Sequence, residues 1–134
     1  MKILHLIHTM KPEAGGVVEA VRLLASANHA AGLQDEVLCL DKPGTLGDIY
    51  SFAVHEIGPA AGGYGYTDAL IPWLKVNQGN YDAVIVHGLW QYIGYATRQA
   101  LHDTDTPYYV FPHGMLDPWF KRAYPRKHLK KKMY

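Results

Sequence analysis

The chain has 134 residues, 49% of them hydrophobic and 19% charged, with a formal net charge of +1. That length suits one ordinary domain able to bury roughly two thirds of its unfolded surface, and 12% aromatic residues near zero net charge exclude a solvated coil. No apolar run approaches the ~18 residues of a membrane span, and Cys39, the single cysteine, excludes a disulfide scaffold.

The opening MKILHLIHTM has one basic residue, an apolar run broken by His5 and His8, and no small-residue cleavage site, so it does not read as a signal peptide. Lys2–Ile7 is a short aliphatic strand, and His8–Gly16 is a loop marked by Pro12 and the pair Gly15–Gly16. Over Val17–Ala31 the period changes to that of a helix, with Val17, Val21, Leu24 and Ala25 on one side. Glu19 favours its first turn and Gly32 its stop. Glu36–Leu40 is a second strand, apolar enough to be covered on both faces, and Ala53–Ile57 a weaker third. Between them Leu40–Asp48 is loop, and the Gly- and Tyr-rich stretch Gly58–Thr67 reads as a mobile surface loop. Leu70, Trp73, Leu74 and Val76 predict a short helix with Pro72 in its first turn. Asp82–His87 is the clearest strand, Gln91–His102 a helix, and Pro107–Phe111 a fifth strand. Asp117 or Pro125 can each begin a further helix.

Strands alternating with helices imply parallel pairing through right-handed crossovers. The expected fold is α/β: one Rossmann-like doubly wound parallel sheet in order 3-2-1-4-5.

Charge divides unevenly. Residues 1–120 carry 6 Lys and Arg against 12 Asp and Glu, whereas residues 121–134 carry 7 basic residues and no acid. That tail is either the solvated face of a terminal helix or a surface for membrane phosphates or an anionic substrate, and no nucleic-acid motif accompanies it. The expectation is a cytoplasmic protein of a reducing compartment, touching the inner face of the membrane peripherally through Lys121–Lys132. Because the sequence stops inside this basic amphipathic stretch, it reads as the front part of something longer.

Ligands of open α/β sheets gather at the carboxyl ends of the strands, where the strand order reverses. His8, His87 and His113 fall at such ends, and Gly15–Gly16 lead into the first helix on the same rim. These glycines let backbone N–H groups approach a phosphate at a helix N-terminus, or they simply make a tight turn. Neither G-x-G-x-x-G nor a Walker loop is present. Each histidine can equally be a satisfied strand cap. A zinc cluster lacks H-E-x-x-H or H-x-H spacing, and a serine triad lacks G-x-S-x-G. Cys39, mid-strand, reads as a buried inert thiol.

Three blocks carry more: KILHLIHTMKPEAGGVVEAVRLLA, YDAVIVHGLWQYIGYATRQAL and VFPHGMLDPWFKRAYPRKHLKK. Together they resemble the amino-terminal, acceptor-side domain of glycosyltransferase family 4, whose members are GT-B enzymes, dependent on nucleotide sugars and generally retaining. The resemblance implies that Gly15 and Gly16 turn their amides to the donor diphosphate and that His113 lies beside the donor sugar and reacting centre. It puts His8, His87, Trp90, Asp117 and Lys121 on the acceptor side, with a saccharide or lipid-linked acceptor as partner. It implies no metal and no cofactor beyond the nucleotide-sugar co-substrate. A second, nucleotide-binding domain, with its basic pair and E-x7-E motif, is not among these residues. AAGLQDEVLCL departs from the family's G-H-E-V pattern before the second strand, which touches packing rather than the site. Two alternatives remain at this point: a non-catalytic acceptor-binding fragment, and a metal-dependent α/β hydrolase using His8, His87 and His113.

Overall fold

The computed structural model describes residues 1–113. Eight main elements follow in chain order: β1 (Lys2–Ile7), α1 (Gly16–Ala30), β2 (Gln34–Cys39), β3 (Val54–Glu56), α2 (Leu70–Asn77), β4 (Ala83–His87), α3 (Tyr92–Leu101) and β5 (Tyr108–Phe111). The five strands form one sheet in order β3-β2-β1-β4-β5, all pairs parallel, as the alternation of elements predicts. Single 3-10 turns, Pro12–Ala14 and Gln78–Asn80, precede α1 and follow α2. No helix among the described residues is long and apolar enough to cross a membrane.

Side chains on a strand alternate between faces. Leu4, Leu6, Leu38, Leu40, Val84 and Val86 form one face, and α2 and α3 close it with Leu70, Leu74, Ile93, Ala96 and Leu101. Ile7, Val37 and Cys39 belong to the other face, where Val18 and Val21 of α1 cover them together with Met10 and Leu46. The strand read as Glu36–Leu40 starts two residues earlier. Gln34 N–H donates to the Met1 carbonyl at 2.9 Å, and Asp35 pairs with Ile3, so the ladder reaches back before the apolar run.

The segment Gly58–Thr67 lies at the surface, as expected, but is pinned at several points. Ala61 and Tyr66 form an isolated bridge, Gly65 and Thr67 are buried, and the Tyr64 carbonyl accepts from Tyr92 N–H at 2.8 Å. Tyr64 and Tyr66 also place their rings edge-on to Tyr92. Composition gave no sign of this, because the contacts holding the segment come from Tyr92, much further along the chain.

At the amino end of the strands Glu36 ties several elements together. It accepts from Lys2 Nζ at 2.9 Å, His55 Nε2 at 2.7 Å and Tyr81 OH at 2.8 Å. Burial alone would raise this carboxyl, but the hydrogen bonds from His55, Lys2 and Tyr81 outweigh it and hold it at about 2 against an ordinary 4.5. A depressed carboxyl supports the fold fully above its unfolded value and loses that support as pH falls toward its folded value. Urea midpoints are therefore expected to fall between pH 4.5 and pH 2, and Glu36→Gln is expected to flatten that part of the acid limb.

Candidate functional site

The order reverses at β1, which lies between β2 and β4. A crevice of about 200 Å³ opens there, lined by His8 and Thr9 after β1, Ala14 just before α1, Val17 and Val18 at its start, His87 at the end of β4, Gly88 and Gln91. A wider depression of about 420 Å³ continues on the β2 side of His8, flanked by Lys11 and Lys42.

The loop leading to α1 is shaped by Asp41, a residue the sequence gave no reason to single out. Its carboxylate accepts from Thr9 Oγ1 at 2.7 Å and from Met10 N–H at 2.8 Å, while Tyr50 OH donates to the Met10 carbonyl at 2.5 Å. The chain then turns through Gly15 at φ 99°, ψ −141°, a conformation glycine adopts without strain. A Cβ at Gly15 or Gly16 would meet nothing within 4 Å, so this turn presents bare backbone outward. The first N–H groups of a helix lack intrahelical acceptors and carry its positive dipole end.

His8 stands at the carboxyl end of β1 with a buried Nδ1 that has no hydrogen-bond partner among the described residues. Gly65, at φ +78°, packs against that ring: a Cβ there would come within 2.6 Å of Nδ1 and 2.7 Å of Cε1. Gly65→Ala is accordingly expected to swing the His8 ring out of place. A loss of folding stability of about 1–3 kcal/mol, combining forced side-chain movement with backbone strain, would appear as a lower urea midpoint and a displaced His8 ring resonance.

The other two expected histidines are joined. His87 Nδ1 and His113 Nε2 are 2.8 Å apart, and His87 Nε2 lies 2.9 Å from Nδ1 of His5 in the middle of β1. His5 Nε2 in turn lies 2.6 Å from Asp35 Oδ2 on β2, and Asn28 of α1 donates to that same oxygen at 2.8 Å. Side-chain exposure is 0% at His5 and 1% at Asp35. The result is an unbroken line of polar side chains beneath α1, from Asn28 to the rim.

Register explains the line. Asp35 pairs with Ile3, two residues below His5, and His5 pairs with Ile85, two residues below His87. Each step crosses one strand and climbs two residues on the same face. Asp35 and His5 were not recognised from the sequence, where His5 only interrupts an apolar run. Two ionisable residues inside strands covered on both faces are nevertheless a signal, since buried polar groups need partners.

Burial, and then the neighbouring His5 and His113 rings, lower the pKa of His87 to about 3, and burial lowers that of His113. His87 is thus a neutral ring that donates through one nitrogen and accepts through the other. Cys39 is fully buried, and burial raises its thiol to about 12, which suits an inert packing residue.

Among the described residues, two other than glycine have positive φ, His113 at 48° and Trp90 at 67°, and both follow strands at this rim. Such conformations are uncommon and tend to cluster at functional sites. Trp90 lines a separate hollow of about 280 Å³ with Tyr95, Arg98, Tyr108 and Val110. Asp117, Lys121, the basic stretch to Lys132 and the helix expected from Asp117 or Pro125 lie outside the described residues. Among the described residues no group of three His, Cys, Asp or Glu side chains is arranged to hold a metal ion, and no hydrogen bond joins His8 to His87 or His113. Both His87 nitrogens are already engaged by imidazoles.

A doubly wound α/β domain with its crevice at the switch point belongs to the class that binds ligands on the carboxyl edge of the sheet. Residues 15–134 match the glycosyl transferase 4-like domain family. The chain belongs to that family, and its function is of the glycosyltransferase type, with a sugar donor and an acceptor as substrates. No curated protein and no solved structure matched the chain.

Proposed function

We propose that this domain is the acceptor-side half of a two-domain GT-B enzyme that transfers a sugar from a nucleotide sugar to an acceptor hydroxyl with retention. The observation that carries this reading is the switch-point crevice, which has the α1 N-terminus on one wall and the β4 end, with His113 hydrogen-bonded to His87, on the other. Its volume of about 200 Å³ is below the ~300–1,000 Å³ that enclosing ligand pockets occupy, which suits half of a site that closes against a second domain.

In this reading the amides at Gly15 and Gly16 and the dipole of α1 stabilise charge growing on the departing diphosphate. His113 positions the donor sugar by a hydrogen bond and forms no covalent bond to it. His8, His87, Trp90, Asp117 and Lys121 belong to the acceptor side, where a saccharide or a lipid-linked sugar docks, with Lys121–Lys132 against anionic headgroups. The acceptor hydroxyl attacks on the face the diphosphate leaves, and the departing phosphate oxygen takes its proton. Electrostatics and placement, rather than a metal, supply the catalysis.

The test is transfer of radiolabelled sugar from a panel of UDP- and GDP-sugars, by the chain alone and by the chain joined to a donor-side domain. Turnover is expected only from the joined form and is expected to survive a chelator. Comparable turnover by the chain alone would overturn the two-domain reading, and acceptor binding without turnover in either form would leave a non-catalytic acceptor-binding domain.

A further inference from the structure

We propose that Asp35, acting through His5 and His87, fixes His113 as a hydrogen-bond acceptor at Nδ1, so that the group His113 takes at the rim is a ligand hydroxyl. That this hydroxyl belongs to a sugar rests on the transferase reading above; the polarity of the line does not.

The direction of every bond follows from its buried end. Asp35 Oδ2 receives the Asn28 amide at 2.8 Å and faces His5 Nε2 at 2.6 Å. The oxygen that takes the Asn28 N–H is an acceptor, so the proton of the shorter contact sits on His5 Nε2, and in the neutral tautomer His5 Nδ1 is a lone pair. That lone pair faces His87 Nε2 at 2.9 Å, which must then be the N–H. His87 Nδ1 is left as a lone pair and accepts from His113 Nε2–H across 2.8 Å. His113 ends the line with Nδ1 unprotonated, and among the described residues nothing bonds to it. One carboxylate thus sets three tautomers in series. The low pKa of His87 agrees with this, because only a neutral ring can pass direction from one neighbour to the next. The rings follow one another closely along the line, His5 and His87 stacked with centroids 5.2 Å apart and His87 and His113 tilted at 5.0 Å.

Asp35, His5 and His87 are positioning residues in this scheme, and their effect is read at a nitrogen none of them contains. The experiment is a long-range proton–nitrogen correlation spectrum of the full chain, labelled with ¹⁵N-histidine, at neutral pH. His5, His87 and His113 are each expected to show a single tautomer, with the proton on Nε2 and a pyridine-type Nδ1. His87→Gln offers one N–H and one carbonyl oxygen in place of the two ring nitrogens and is expected to keep the His113 tautomer fixed. His87→Phe cuts the line and is expected to release His113 into averaging between tautomers.

Asp35→Asn is a second variant that leaves all three rings in place. Its amide can donate to His5 or accept from it, so both directions become available and His113 is again expected to average. A proton on Nδ1 of His113 in the parent chain would overturn the proposal. So would a His113 tautomer unchanged in Asp35→Asn and in whichever His87→Phe protein folds. The readout contains no sugar, so it stands or falls apart from the transfer assay.

Discussion

His5→Ala is expected to cost the fold about 2–4 kcal/mol, because it removes a buried hydrogen bond to a carboxylate and leaves that acceptor short of a partner. The Asp35 carboxylate, with a side chain 1% exposed, would keep only the Asn28 amide, and its Oδ1 already lacks a partner. Urea unfolding of the parent and the variant measures the loss directly. The companion experiment is the double variant His5→Leu with Asp35→Leu. Replacing both partners of a buried hydrogen bond by apolar groups can be nearly neutral, so this protein is expected to recover part of the stability, with the Asn28 amide and His87 Nε2 left without these partners. If the double variant were as unstable as His5→Ala, the stranded carboxylate would not be the cause.

In the proposed transferase, His113→Ala is expected to lower kcat about 10²-fold, roughly 2.7 kcal/mol, and to raise KM much less. That pattern marks an interaction strongest in the transition state. A merely structural role predicts a different pattern. His113 is bonded through Nε2 to His87 at 2.8 Å, at a partly exposed position. Losing one such hydrogen bond typically costs ~0.5–1.5 kcal/mol of stability. A variant with near-parental kcat and a clearly lower melting temperature would remove His113 from the catalytic role and leave it as a cap on β5.

The sheet was legible in the sequence because parallel strands covered on both faces are written as short apolar runs. KILHLI, EVLCL and DAVIVH stand out against loops rich in Gly, Pro and Asp, and connections long enough for helices leave little choice of pairing. The position of Gly15–Gly16 before α1, and of His8, His87 and His113 after their strands, followed from the same segmentation. What the sequence did not disclose was which of these side chains meet. His5 and Asp35 are 30 residues apart, and their contact depends on a register that places Asp35 two residues below His5 on the neighbouring strand. Starting the second strand at Glu36 left Asp35 in a loop and so hid it. Asp41 escaped for a similar reason: its partners Thr9 and Met10 are backbone and side-chain groups of a loop whose path only the fold defines.

The diagonal beneath α1 has a consequence for how specificity in this domain is altered. Asp35 lies level with Ile3, and the line leaves the sheet beside Phe111, level with His87. Four residues of strand separate the two levels, about 13 Å at 3.3 Å per residue. The hydrogen-bonding sense of His113, which is bonded to His87 in the crevice wall, is therefore written at the opposite end of the sheet, by Asp35 and by Asn28 in the last turn of α1. A variant library confined to the loops around the crevice would leave positions 28 and 35 untouched, and with them the setting that decides whether the rim receives a proton or offers one.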